Sequence, residues 1–187
     1  MKPLILASSS PRRRELLEKC GVPFQVEAAD IDETINLNGY LPEEIRLLAR
    51  RKAQAVLAEH PEAVILGSDT IVAISGRVLG KPKDEIDAEN MLRSLSGHTH
   101  QVITGVCLLS CAREYTNVSV SEVSFAYLSE EEIRKYVETG EPMDKAGAYA
   151  IQGIASRYVT GIHGDYYAIM GLPVAMVYEE LKHLPEY

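Results

Sequence analysis

"LILASSSPRRRELLEKCGVPFQVEA", Leu4–Ala28, decides the fold. Leu4–Ser8 is a short apolar run ending in small residues, the mark of a buried strand. Ser10 suits a helix cap and Pro11 the first helical position. Leu16, Leu17 and Cys20 then point to one side, which predicts a helix over about Pro11–Lys19. Gly21 stops it and Pro23 prevents its return. "PFQVEA" predicts a second strand. A strand, a turn, a helix and a strand make the repeating unit of an α/β fold. The same stretch holds an oddity. Arg12, Arg13 and Arg14 fill a first helical turn, where the helix dipole favours acids, in a chain whose formal net charge is -8.

Outward from there, "DIDETI" opens an acidic loop running to about Gly39. A helix is expected over Pro42–Glu59, with Ile45, Leu48, Ala49, Lys52, Val56 and Leu57 near one face and Lys52 the odd member of that face. "AVILGSDTIVAI" reads as a strand interrupted by Gly-Ser-Asp-Thr, "SGR" as a turn and "VLGKP" as a short returning strand. Asp84 caps a third helix through about Ser96, ended by Gly97. "HQVITGVCLLS" and "EYTNVSVSEVSFAYL" read as two long antiparallel strands. The second changes phase, which predicts a β-bulge near Ser121. Ser129–Glu132 is a capping box for a helix ending at Gly140. "RYVTGI" and "YYAIM" read as a hairpin around "HGD", and Pro173 opens a last helix through about Leu184.

The length of 187 residues implies one domain, or one domain with two lobes. Apolar residues make up 46% and charged residues 25%, as in an ordinary soluble globular chain. The acidic balance argues against a general nucleic-acid binder. No apolar run is long enough to span a bilayer, and "MKPLILASSS" lacks the long apolar region of a secretory signal. Cys20, Cys107 and Cys111 have no zinc or disulfide spacing, so a reducing, cytoplasmic setting is the simplest expectation.

Five constellations point to chemistry. The Ser-rich turn with its arginines forms an anion cradle, since helix N–H groups and guanidinium forks both suit phosphate. The three arginines cannot all face one ligand at helical spacing, so at least one is expected to face solvent or to be paired. Asp69 within "ILGSDTIV" places a carboxylate inside an apolar strand, which favours a catalytic or metal-binding role over a turn residue. Lys81 in "LGKPKD" suits a phosphate, and an exposed loop lysine equally well. Glu33 in the acidic loop can join Asp69 on a magnesium ion, or be a solvated acid. In "DKAGAYAIQG" the small residues leave room for a flat ligand and Gln152 offers a donor and an acceptor to a base edge, or lies on a packed surface turn. The five histidines are scattered, and His98 and His100 share a strand face without a third ligand. No Walker loop and no GxSxG elbow is present.

Together, "LASSSPRRRELL", "LARRKA", "GSDTIV", "GKPKD", "LSGHTHQVITGV", "EPMDKAGAYAIQG" and "GDYYAIMGLP" resemble the Maf family over nearly the whole chain, 1–187 as a single domain. That family hydrolyses nucleoside triphosphates to the monophosphate and pyrophosphate. Arg12, Thr70 and Gln152 resemble its dTTP/UTP pyrophosphatase branch. A related 7-methyl-GTP-cleaving branch tends to carry tryptophan, glutamine and glutamate there. The resemblance implies an elongated mixed sheet flanked by helices, with two lobes around a central cleft, often as a homodimer. It implies Asp69 as the proton acceptor, and Arg12, Thr70 and Gln152 as governors of base choice. It assigns Ser8, Arg13, Lys52 and Lys81 to the phosphates, and Glu33 with Asp69 to a divalent cation, magnesium or manganese. The family is also linked by name to septum formation, so the rival expectation is a non-catalytic nucleotide sensor or septum regulator.

Overall fold

The computed structural model describes residues 2–184. Leu4–Leu6 (β1) is wholly buried and pairs in parallel with Phe24–Val26 (β2) on one side and with Val64–Leu66 of Val64–Ile74 (β3) on the other. Side chains from helices cover both faces of β1, Leu4 and Leu6 on one and Ile5 on the other, which explains its unbroken apolar run. Between β1 and β2 runs a helix, Pro11–Glu18 (α1), one residue shorter than expected. Leu41–Glu59 (α2) joins β2 to β3.

The chain goes on with Arg77–Leu79 (β4), Glu85–Leu95 (α3), Thr99–Leu109 (β5), Glu114–Phe125 (β6) and Glu130–Val137 (α4). Three 3-10 turns, Glu141–Asp144, Ala146–Ala148 and Ile154–Tyr158, lead to Val159–His163 (β7), Tyr166–Met170 (α5) and Val174–Lys182 (α6). The strands form a mixed seven-stranded sheet flanked by helices, in the order β2-β1-β3-β5-β6-β7 with β4 beside β3.

The residues group into two compact units, and β3, β5 and β6 contribute to both. The first takes in the chain up to Asp69, Thr104–Ser119, and from Tyr167 on. Its core has two layers set by strand alternation. Leu4, Leu6, Val64, Leu66, Val106 and Leu108 pack against Leu16 and Leu17 of α1 and Val177 and Leu181 of α6. The alternate residues Ile5, Ala7, Ile65 and Cys107 pack against Ala49, Ala53 and Val56 of α2.

Two glycines let α2 lie unusually close to the strands. A Cβ at Gly67 would stand 2.1 Å from the Ala49 carbonyl oxygen, and one at Gly105 2.5 Å from that of Ile45. No side chain fits either position, so backbone approaches backbone directly.

The second unit comprises Thr70–Ile103 and Val120–Tyr166. Here β4 returns antiparallel along the end of β3, and β7 runs antiparallel to β6. Asp84 caps α3 by accepting the Asp87 N–H at 2.8 Å, and Ser129 and Glu132 form the expected capping box.

Three expectations are corrected. Residues 166–170 are helical, so "RYVTGI" and "YYAIM" are not a hairpin: β7 pairs with β6, and Ala168 and Ile169 are both buried, as adjacent residues of a helix are and those of an alternating strand are not. The register shift of β6 against β7 falls between Ser124 and Phe125, beyond Ser121. Ser121 is itself buried on the face of Val123 and Phe125, and its hydroxyl accepts the Asp165 N–H at 3.0 Å. Ser10 occupies the cap position of α1, but its side chain makes no cap bond. The serine that organises this turn is Ser8.

Candidate active site

The first unit gathers six of the candidate residues. Where β1 ends, Ala7 N–H still bonds to Leu66 O at 2.8 Å, and the chain then turns at Ser8. The buried Ser8 hydroxyl accepts from Ser10 N and from Arg13 Nη1, both at 3.2 Å. Arg13 Nε donates to the Gly171 carbonyl at 2.9 Å. That carbonyl also accepts from the fully buried Ser68 hydroxyl at 3.1 Å. Gly171 has φ +128°, a backbone state that side-chain-bearing residues rarely adopt. Arg13 is thus held from two sides by the turn after β1 and the turn after α5. Burial pulls its pKa below the ordinary value, Asp69 opposes that, Arg12 adds to it and Glu33 opposes it. These four charges therefore share one neighbourhood. Arg12 is half-buried beside Arg13. Arg14 points away to an exposed ion pair with Glu18 at 3.3 Å, as expected of a surface residue.

Lys52 ties the other half of this group together. It sits on the buried face of α2 with its side chain 8% exposed. The close approach at Gly67, which wedges Ala49 and Ala53 against β3, brings the intervening Lys52 onto Asp69. Lys52 Nζ lies 2.5 Å from Asp69 Oδ1 and 2.7 Å from Glu33 Oε1. An ammonium this buried is tolerable only with such partners. Asp69 is 15% exposed and Glu33 59%, so one carboxylate lies inside the protein and the other at its rim. The loop that carries Glu33 is pinned by the residue of α2 just before Lys52. Arg51 donates to the backbone carbonyls of Asp32 at 3.0 Å and Thr34 at 2.8 Å.

Two carboxylates on one cation are a donor set that fits a magnesium-like ion, which takes one or two protein oxygens and completes its shell with water and phosphate. Among the described residues no cluster of three or more His, Cys, Asp or Glu forms a full protein cage.

The second unit holds Thr70, Lys81 and Gln152. Thr70 follows Asp69 on β3 and is half-buried, while Lys81 and Gln152 are exposed. Their backbones are linked. Gly147 N donates to Gly80 O at 3.1 Å, and a Cβ on Gly147 would stand 2.9 Å from Val72 Cγ1. The loop of Lys81, the strand of Thr70 and the segment leading to Gln152 therefore meet at Gly147. This residue has φ +71°, as only glycine adopts freely, and Ala148 follows at φ +59°.

Behind that segment lies an aromatic group. His100 Nε2 and the Tyr149 hydroxyl are 2.7 Å apart, and Phe125 meets both rings edge to face. His100 is 2% exposed, and burial lowers its pKa to about 4, so it is neutral near pH 7. The reading of His100 as a hydrogen-bonded residue rather than a metal ligand agrees with this.

Sequence reasoning passed over Ser68, Arg51 and the Gly171 carbonyl. Ser68 stood within a quoted motif, yet its partner is a backbone oxygen, which carries no residue-type signal.

Residues 3–184 match the family described as "Maf-like protein". A dTTP/UTP pyrophosphatase of Koribacter versatilis is 52% identical over 180 residues, covering 96% of this chain and 93% of that protein. One from Bacillus cytotoxicus is 50% identical over 182 residues, covering 97% and 95%. One from a Geobacillus species is 49% identical over 184 residues, covering 98% and 99%.

Proposed function

Because the chain belongs to the Maf-like protein family, we propose that it is a nucleoside triphosphate pyrophosphatase that converts dTTP and UTP to the monophosphate and pyrophosphate. Relatives at about half identity over nearly their full length bear that activity in their names. The observation that carries the chemistry is Lys52 bridging Asp69 and Glu33 beside Arg13. A sensor without turnover has no need of a half-buried carboxylate among phosphate-binding cations.

In the proposed reaction a water oxygen bonds to the α-phosphorus and the bond from that phosphorus to the bridging oxygen breaks. The electron pair leaves with pyrophosphate. Asp69 takes the water's proton. With Oδ1 against Lys52, the second carboxylate oxygen is the acceptor. Arg13, fixed by Ser8 and Gly171, presents a guanidinium already aimed, so no reorganisation is needed as charge develops. Ser8, Lys52 and Lys81 are assigned with Arg13 to the phosphates. Most of the acceleration comes from this positioning and charge neutralisation. A divalent cation, magnesium or manganese, is assigned to Glu33 and Asp69, where it would neutralise phosphate charge and polarise the reacting oxygens. Arg12, Thr70 and Gln152 are assigned to base choice, through the 4-keto and N3–H edge of uracil or thymine. We further assign the protein to the cytoplasm as a single-domain homodimer, in keeping with its three free thiols and with the family resemblance.

The test is pyrophosphate release from UTP, dTTP, CTP, ATP and GTP with magnesium or manganese. Turnover confined to UTP and dTTP supports the reading. A purine preference, or tight binding without release, overturns it.

A further inference from the structure

We propose that Glu141 is a positioning residue for base selection, fixing the turn on which Gln152 stands. The inference rests on the reading of Gln152 as a base-reading residue. Gln152 lies in a tight turn closed by Gly153 N donating to Ala150 O at 3.0 Å. Both ends of that turn are tied to one hydrogen-bonded pair, the buried Tyr136 and the half-buried Glu141. The Tyr136 hydroxyl donates to Glu141 Oε1 at 2.7 Å and itself accepts from Ala150 N at 3.4 Å. Glu141 Oε2 accepts from Ile154 N at 2.9 Å, and Oε1 accepts from Ala155 N at 3.3 Å.

Between these contacts, a Cβ on Gly153 would stand 2.4 Å from Glu141 Oε2. The carboxylate thus packs straight onto the backbone next to Gln152, and a side chain at 153 would evict it. Tyr136 is fully buried, and burial, then Glu141, push its pKa up, so its hydroxyl remains a donor.

This frame supplies what base reading requires. A glutamine amide can turn over, presenting its oxygen where its nitrogen stood, and so match either uracil or cytosine. Discrimination then depends on how far the residue's backbone can shift to re-seat the amide. A turn fixed from both ends permits little shift, whereas a loosened one lets Gln152 adapt to the cytosine edge. The carboxylate is needed rather than its amide. Three donors converge on Glu141, and an NH2 replacing either oxygen would face a backbone N–H.

The test compares kcat/KM for UTP and CTP in wild type, Glu141→Gln, Tyr136→Phe and Gln152→Ala. Glu141→Gln is expected to lower the UTP:CTP ratio about ten-fold, the scale of a lost charge-assisted hydrogen bond. The ratio should move more than kcat on UTP does. Tyr136→Phe removes one of the three donors and should shift the ratio in the same direction by less, which also covers the case of a Glu141 variant that fails to fold. A ratio changed in Gln152→Ala and unchanged in both frame variants overturns this inference alone. A ratio unchanged in Gln152→Ala overturns it together with the reading of Gln152. Equal losses on UTP and CTP in the frame variants mean a structural role only, and overturn it as well.

Discussion

The two units bury polar groups by opposite means. Around Lys52 the first unit keeps its charges and pairs them, with one ammonium between two carboxylates and a guanidinium nearby. Around His100 the second unit buries a titratable ring and keeps it neutral, against Tyr149 and Phe125. A buried charge is expensive unless matched, so paired charges suit a place that meets a ligand of many charges. A neutral buried ring suits a place that must hold its shape whatever binds. Charge removal should therefore harm the first unit's chemistry, and acid should harm the second unit's stability.

Asp69→Asn gives the sharpest break. It keeps the side chain's size and removes the proposed proton acceptor, so turnover should fall by about 10³-fold, within the usual range for losing a general base. Circular dichroism should report an intact fold. Near-normal pyrophosphate release would end the assignment. Lys52→Met comes next. It leaves Glu33 and Asp69 facing each other without a cation, at a cost of about 3 kcal/mol, the low end for a broken buried pair because Glu33 is mostly exposed. Urea unfolding reads that loss. An unchanged midpoint would mean the three groups are no more than neighbours.

The neutral side of the comparison is tested by pH. The folded pKa of His100 is lowered to about 4 by burial. Between that value and the unfolded value near 6.5 the unfolded chain binds more protons, so stability rises with pH across this window and is lost as pH falls through it. From pH 7 to pH 5 this one group should cost roughly 2 kcal/mol. His100→Gln, which cannot ionise, should show a flatter acid limb in urea midpoints measured at the two pH values. A slope equal to wild type would place the acid sensitivity elsewhere.

What was legible in the sequence follows from the range of each interaction. The start of the fold was readable because its signals are local: Pro11 at the first helical position, Gly21 after the last, and Leu16 and Leu17 facing in. The hairpin misreading at residues 157–170 came from a segment whose partner, β6, lies far back in the chain, and whose helix, five residues all apolar or aromatic, is too short and too uniform to show a period. Lys52 was visible as an intruder on an apolar face, but its two partners come from a loop and a strand on either side of it in sequence. Gly67 decides that meeting through a backbone contact with Ala49 that no residue pattern announces. The family resemblance supplied roles for Ser8, Arg13 and Lys52. It gave no hint of the carbonyl that fixes Arg13.

That carbonyl allows the finest test. Gly171 O accepts from both Ser68 Oγ and Arg13 Nε, so the residue before the candidate base and the candidate phosphate ligand share one acceptor. Ser68→Ala removes one of the two donors and should lower stability by about 1 kcal/mol, the net worth of an ordinary hydrogen bond. If the carbonyl's purpose is to aim Arg13, loosening it should weaken triphosphate binding before it slows chemistry, since Arg13 keeps its own bond and Asp69 keeps Lys52. KM for UTP should then rise a few-fold with kcat nearly unchanged. A fall in kcat at constant KM would instead mean that Ser68 acts along β3 on Asp69. The charged cluster would then be organised from the base outward rather than from the phosphate side.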